Sequence, residues 1–162
     1  MRRIKLILLI LALALTLGAM LSCQMEPKDK DFEVENLSIT LTNEFKEISA
    51  SGQTKAFESE QIVALFLKES FERFEQDHTA LEYAQMVQKS NAIENSQITE
   101  SDDGYVEFSY QSGKYSYYAR CYKTADAYWL IRFATSAQND EETAKALDEK
   151  IKDFAASIEF ER

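Results

Sequence analysis

YVEFSYQSGKYSYYARCYKTADAYWLIRFA, residues 105–134, is the stretch that decides the fold. It is dense in Tyr, Phe, Trp, Val and Ile, the residues that suit a pleated, half-buried surface. Ser112-Gly113 and Thr124-Ala125-Asp126 divide it into three runs, Tyr105–Gln111, Lys114–Lys123 and Ala127–Ala134. Runs of this length joined by short turns predict an antiparallel meander. A two-residue loop at Ser112-Gly113 sets Tyr110 opposite Tyr115, Phe108 opposite Tyr117 and Val106 opposite Ala119. The next loop has no turn signature. Two alternatives therefore stay open for the face shared with that set: Trp129, Ile131 and Phe133, or Tyr128, Leu130 and Arg132. A slip of one residue exchanges them.

Downstream, Asn139 is a candidate cap for a helix with Ala144, Leu147, Ile151, Phe154 and Ile158 at spacings of three and four. Ile158-Glu159-Phe160 reads as a closing strand. Upstream, Ser96–Glu100 precedes the turn Ser101-Asp102-Asp103-Gly104 and reads as a further strand. Thr79-Ala80-Leu81-Glu82 has the spacing of a capping box, in which the Thr hydroxyl and the Glu carboxylate satisfy free amides at a helix start. Leu81, Tyr83, Ala84 and Val87 give that helix an apolar face through about Asn91. Phe71 and Phe74 fit one helical turn. Ile62–Leu67 is a continuous apolar run, the pattern of a strand covered on both faces. Thr54–Ser59 and the alternating Leu37–Leu41 complete the strands. The order is three strands, helix, four strands, helix, strand. That order predicts an α+β fold, an antiparallel β-sheet flanked by helices.

Ile39-Thr40-Leu41-Thr42-Asn43-Glu44-Phe45 resembles the opening strand of PsbP-like domains. Tyr122-Lys123, a turn, Ala127–Phe133 and the closing helix and strand follow the same pattern. Over residues 36–162 the chain is similar to small bacterial envelope lipoproteins of that superfamily, the DcrB-type proteins among them. The resemblance implies a PsbP-like α/β/α sandwich. It implies binding to larger partners rather than catalysis, since relatives include a photosystem II extrinsic subunit and a Ran-binding protein. It carries over no metal, cofactor or ligating residue.

The amino-terminus gives the address. Arg2, Arg3 and Lys5 precede an uncharged run from Leu6 to Met25, the order of a secretory signal peptide. Met20-Leu21-Ser22-Cys23 resembles a bacterial lipobox, with Met where Leu is usual. Residues 1–22 are read as a lipoprotein signal peptide, and Cys23 as the lipidation site. Residues 23–35, polar and holding the single Pro, are read as a flexible tether, and 36–162 as the domain. An uncharged run of this length also suffices to span a bilayer uncleaved. Either way the domain stands outside the cytoplasm, because the positive end stays within.

Cleavage before Cys23 removes three of the 18 basic residues, leaving 15 against 28 acidic ones and a formal charge of −13. Such a surface repels nucleic acid and anionic headgroups. The expected partners are the membrane, through the lipid, and an envelope protein or small ligand.

Chemistry-bearing residues are sparse. His78 is the one His and lies next to the Thr79 cap, where an exposed loop position accounts for it. Glu100, Asp102 and Asp103 lack the alternate spacing of a Ca²⁺ loop and read as a hairpin turn. With Cys23 acylated, Cys121 stands alone within a strand, as a small buried hydrophobe. Seven of the eight Tyr fall between residues 105 and 128, and a Tyr-rich sheet suits interfaces and sugar or peptide ligands. The face bearing Tyr118, Arg120 and Tyr122 is the candidate binding surface. The expectation is a membrane-anchored, non-catalytic binding module without metal or cofactor. The alternative is an envelope hydrolase with an unrecognised active site.

Overall fold

The structure, a computed structural model, describes residues 27–94 and 96–161. Residues 1–22, read as a signal peptide, and Cys23 lie outside the described residues. Among the described residues no helix is long and apolar enough to cross a membrane.

Among the described residues, ten strands and two helices follow one another. They are β1 (Asp29–Val34), β2 (Leu37–Thr42), β3 (Lys46–Ile48), β4 (Lys55–Glu58), β5 (Val63–Ser70), a 3₁₀ turn at Phe71–Arg73, α1 (Ala80–Ser90), β6 (Thr99–Glu100), β7 (Tyr105–Ser112), β8 (Tyr115–Lys123), β9 (Ala127–Ser136), α2 (Glu141–Ala156) and β10 (Glu159–Phe160). Seven strands form an antiparallel sheet in the order β3-β4-β5-β9-β8-β7-β6. The remaining three form a small antiparallel sheet, β1-β2-β10. The α+β architecture expected from the sequence is present.

Each face of the large sheet carries its own core. On one face Phe57, Phe66, Trp129, Ile131 and Phe133 pack against Leu37, Ile39 and Leu41 of the small sheet and against Leu147, Ile151 and Phe154 of α2. On the other face Val106, Phe108, Ala119, Cys121, Tyr128 and Leu130 pack under Tyr83, Ala84 and Val87 of α1. The capping box forms: Glu82 N–H donates to Thr79 Oγ1 at 3.1 Å, and Thr79 N–H donates to Glu82 Oε2 at 2.8 Å. Tyr83 and Tyr128 stack at 4.8 Å beneath α1.

Several expectations are corrected. Residues 29–34, read as tether, form β1, because an outer strand at a solvated edge tolerates the four charges of Asp-Lys-Asp-Phe-Glu-Val. The short β3 was not foreseen either. The β7–β8 loop is Gly113-Lys114, since Ser112 pairs with Tyr115, Phe108 with Ala119 and Val106 with Cys121. Gly113 takes φ 58°, the first position of a tight hairpin turn that Gly fills without strain. The register is therefore two residues from the expected one. A slip of two keeps every side chain on its face. Leu130 pairs with Cys121, so Tyr128, Leu130 and Arg132 share the face of Val106 and Phe108. Asp140, rather than Asn139, caps α2, accepting from Thr143 N–H at 2.9 Å. Strand β5 is buried on one face only: Ala64 and Phe66 are inside, whereas Val63, Leu65 and Leu67 are half-buried.

Both hairpin poles of the small sheet matter for the site. The Glu35-Asn36 loop joins β1 to β2 at one pole, since Val34 pairs with Leu37. Glu35 sits there at φ 54°, a conformation costing a non-glycine residue roughly 1 kcal/mol or more. Its carboxylate meets Lys68 Nζ at 3.0 Å, and Lys68 also meets Asp126 at 2.9 Å. Asp29 and Thr42 lie at the opposite pole.

Candidate functional site

Strand alternation puts Tyr118, Arg120 and Tyr122 on one face of β8, as read from the sequence. That face is not an open surface. α2 and β10 lie over it, so Tyr118 is 6% and Arg120 7% exposed, and Tyr122 is half-buried against the core. The reason is the helix period: Leu147, Ile151 and Phe154 bring α2 down onto this face.

A guanidinium in that position needs partners, and the local sequence supplies them. Arg120 Nε donates to Tyr118 Oη at 2.7 Å. Tyr118 Oη in turn donates to Glu107 Oε2. Glu107 stands directly across from Arg120 on β7, and its carboxylate lies 3.4 Å from Arg120 Nε. Arg120 Nη1 donates to the Ala155 carbonyl at 2.7 Å. The last turn of α2 contains no basic residue. Arg120 thus brings from the sheet the positive charge that the carbonyl end of a helix favours. The guanidinium carbon lies 4.0 Å from the Tyr105 ring centroid, within cation–π range. Burial, then the bond to the Glu107 carboxylate, pushes the Tyr118 phenol well above the usual tyrosine range.

Two cavities flank this network. One, of about 720 Å³, is walled by Tyr105, Arg120, Tyr122, Thr124, Ala156 and Phe160. The Tyr122 and Phe160 rings meet edge to face at 5.1 Å. The other, of about 470 Å³, includes Ser109, Gln111, Ser116, Thr135 and Asp148, with Tyr118 and Ile151 between. Tyr118 and Arg120 are two residues apart on β8, and Ile151 and Ala155 are one turn apart on α2. The two cavities therefore run along the same strand and helix, separated where Arg120 holds Ala155.

Elsewhere the sequence candidates have structural partners. The His78 backbone N–H donates to Tyr128 Oη at 2.6 Å, and its ring lies 3.9 Å from Glu82. It is half-buried rather than fully exposed, because the Phe74 and Tyr128 rings pack beside it. Asp102 and Asp103 are exposed in the β6–β7 turn. Cys121 points into the α1 core, and burial pushes its thiol up to about 12. Among the described residues no three His, Cys, Asp or Glu side chains converge as a metal site. The arrangement offers hydrogen-bond donors, aromatic walls and a neutralised charge pair: groups that hold a ligand.

Tyr105, Glu107 and Phe160 were missed as site residues. Glu107 was legible in principle. An acid and an Arg directly across two antiparallel strands stabilise one another, and requiring that pair would have set the register correctly.

No protein-family model matches the chain, and no curated protein matches it by sequence. Among solved structures, the solution structure of cyanobacterial PsbP (CyanoP) from Synechocystis sp. PCC 6803 matches with a TM-score of 0.53 at 12% identity. The match covers 86% of this chain and 95% of that one.

The fold is PsbP-like.

Within the PsbP-like fold, the Arg120 network sits where the large sheet, the closing helix and the small sheet meet. At 12% identity the likeness concerns the fold alone.

Proposed function

We propose that this chain is an extracytoplasmic lipoprotein, lipid-anchored through Cys23 to a bacterial cell membrane or outer membrane. Its PsbP-like domain is a non-catalytic binding module, and a DcrB-type envelope lipoprotein is the finer form of the same reading. The observation that carries it is the 720 Å³ cavity walled by Tyr105, Arg120, Tyr122 and Phe160. Its place relative to the amino-terminus supports the reading. Phe160 pairs with Leu37 at the loop pole of the small sheet, whereas the chain enters at Asp29, beside Thr42. Six strand residues separate those poles by about 17 Å. A tether from Cys23 would thus hold the domain with its cavity on the side away from the lipid, open to an envelope protein or small ligand.

Two measurements test this. Metabolic labelling with a palmitate analogue labels the native chain in the membrane fraction, and Cys23→Ala abolishes the label. An unlabelled chain found with cytoplasmic enzymes overturns the address. Crosslinking in intact envelopes yields a discrete adduct with the native chain and a weaker one with Tyr105→Ala/Tyr122→Ala. Equal adducts from both chains overturn the cavity as the binding site.

A further inference from the structure

One cross-strand row builds a wall of the 470 Å³ cavity. Gln111, Ser116 and Thr135 stand directly across from one another on β7, β8 and β9. Strand alternation puts them on the α2 face, with Ser109 and Tyr118 one row further in. Deeper rows of that face hold core residues such as Ile131 and Trp129. The outer row instead carries hydroxyl and amide groups, and Gln111 Nε2 donates to Ser116 Oγ at 3.3 Å.

α2 supplies the facing wall. Ala144, Asp148 and Ile151, spaced four and three, fall on one side of the helix and line the cavity. Asp148 accepts from Lys152 Nζ at 2.7 Å, so its charge is balanced by a residue outside the lining. After β9 the Ala137 N–H donates to the Lys114 carbonyl at 2.9 Å. That bond ties the connection leading to α2 to the β7–β8 turn and holds the two walls together at one end.

This lining favours one class of ligand. Among the described residues it contains no Lys or Arg to draw an anion, and its one carboxylate is already paired. Hydroxyl and amide groups both donate and accept, which matches a ligand whose own hydroxyls do both. Ala144, Ile151 and Tyr118 add apolar surface for the carbon-bound faces of such a ligand. A volume of about 470 Å³ lies within the ordinary range of small-molecule sites, roughly 300–1,000 Å³. We propose that this cavity is a binding site for a neutral saccharide, held by Gln111, Ser116, Thr135 and Asp148. It is a second site, distinct from the cavity walled by Tyr105 and Tyr122.

Heteronuclear NMR of the isotope-labelled full-length chain in a sugar-free zwitterionic detergent tests this. Glucose, maltotriose, cellotriose and chitotriose are titrated separately to millimolar concentration. At least one shifts the amides of residues 109–118 and 144–151. A trisaccharide acting where glucose does not marks a segment of a longer glycan as the ligand, and equal action by glucose marks a free sugar. Asp148→Ala and Thr135→Val each weaken binding by about fivefold or more. Ala144→Phe, at an exposed helix position, fills the cavity and abolishes binding. The spectrum and melting temperature of each variant separate lost binding from lost folding. The inference is overturned if none of the four saccharides moves these amides, or if the shifts gather around Tyr122 and Phe160 instead. Folded variants that bind as the native chain does also overturn it.

Discussion

Arg120 and Arg132 occupy the two faces of one sheet and have opposite surroundings. Arg120 lies under α2 with a phenol, a carboxylate, a helix carbonyl and an aromatic ring around its guanidinium. Arg132 lies at the margin of the α1 core, close enough to act on Tyr83 and Cys121, with Nε unpartnered among the described residues. The difference teaches that the covering layer decides what a sheet arginine does. Where a helix descends, its carbonyl and the neighbouring strand complete the charge. Where the cover is partial, the charge stays partly exposed to water.

The comparison is sharpest in stability. Arg120→Ala leaves Glu107 and Tyr118 without their cation and the end of α2 without its donor. The expected loss is about 3 kcal/mol in urea unfolding. A loss below about 1 kcal/mol would show that the network is ornamental. Tyr118→Phe removes one hydroxyl that bonds both Arg120 and Glu107, and is expected to cost about 1–2 kcal/mol in the same assay.

Arg132→Met should change stability by no more than about 0.5 kcal/mol, with either sign. A loss as large as that of Arg120→Ala would mean that Arg132 has intramolecular partners after all, and the contrast would fail.

Acid produces the smallest effect, and it acts away from both arginines. Lys123 beside Asp77, Lys68 beside Asp126 and the Thr143 amide on Asp140 hold these carboxyls below their ordinary range. A carboxyl with a depressed folded pKa stabilises above its unfolded value, near 4, and loses that contribution as pH falls through the lower folded value. The melting temperature should therefore be flat above about pH 5 and decline below about pH 4. Asp140→Asn, which keeps a capping oxygen, should make that decline shallower. An unchanged slope in that variant would remove Asp140 from the account.

Much of this architecture was legible in the sequence, for local reasons. Thr79 and Glu82 specify the start of α1 by themselves, and the spacing of Leu147, Ile151 and Phe154 specifies the buried side of α2. The three long runs between Tyr105 and Ala134 are strands by composition. β1 was hidden because its charges belong to a solvated edge, where composition does not distinguish strand from tether. The β7–β8 register was hidden because Ser112-Gly113 and Gly113-Lys114 are both acceptable turns, and only the Glu107–Arg120 pairing discriminates between them. The candidate site was half legible. Alternation grouped Tyr118, Arg120 and Tyr122, but the depth of α2 over them depends on the packing of residues some thirty positions later.

The small sheet has a consequence for the order of events during synthesis. Its middle strand, β2, is among the first described elements to emerge, yet one of its neighbours is β10, with Glu159 beside Ser38 about 120 positions later. Until β10 appears, β2 has a bare edge, and until α2 appears the core beneath it is incomplete. The clasp between β2 and β10 cannot fasten until residues 159–160 arrive, so this pairing of high sequence separation closes late.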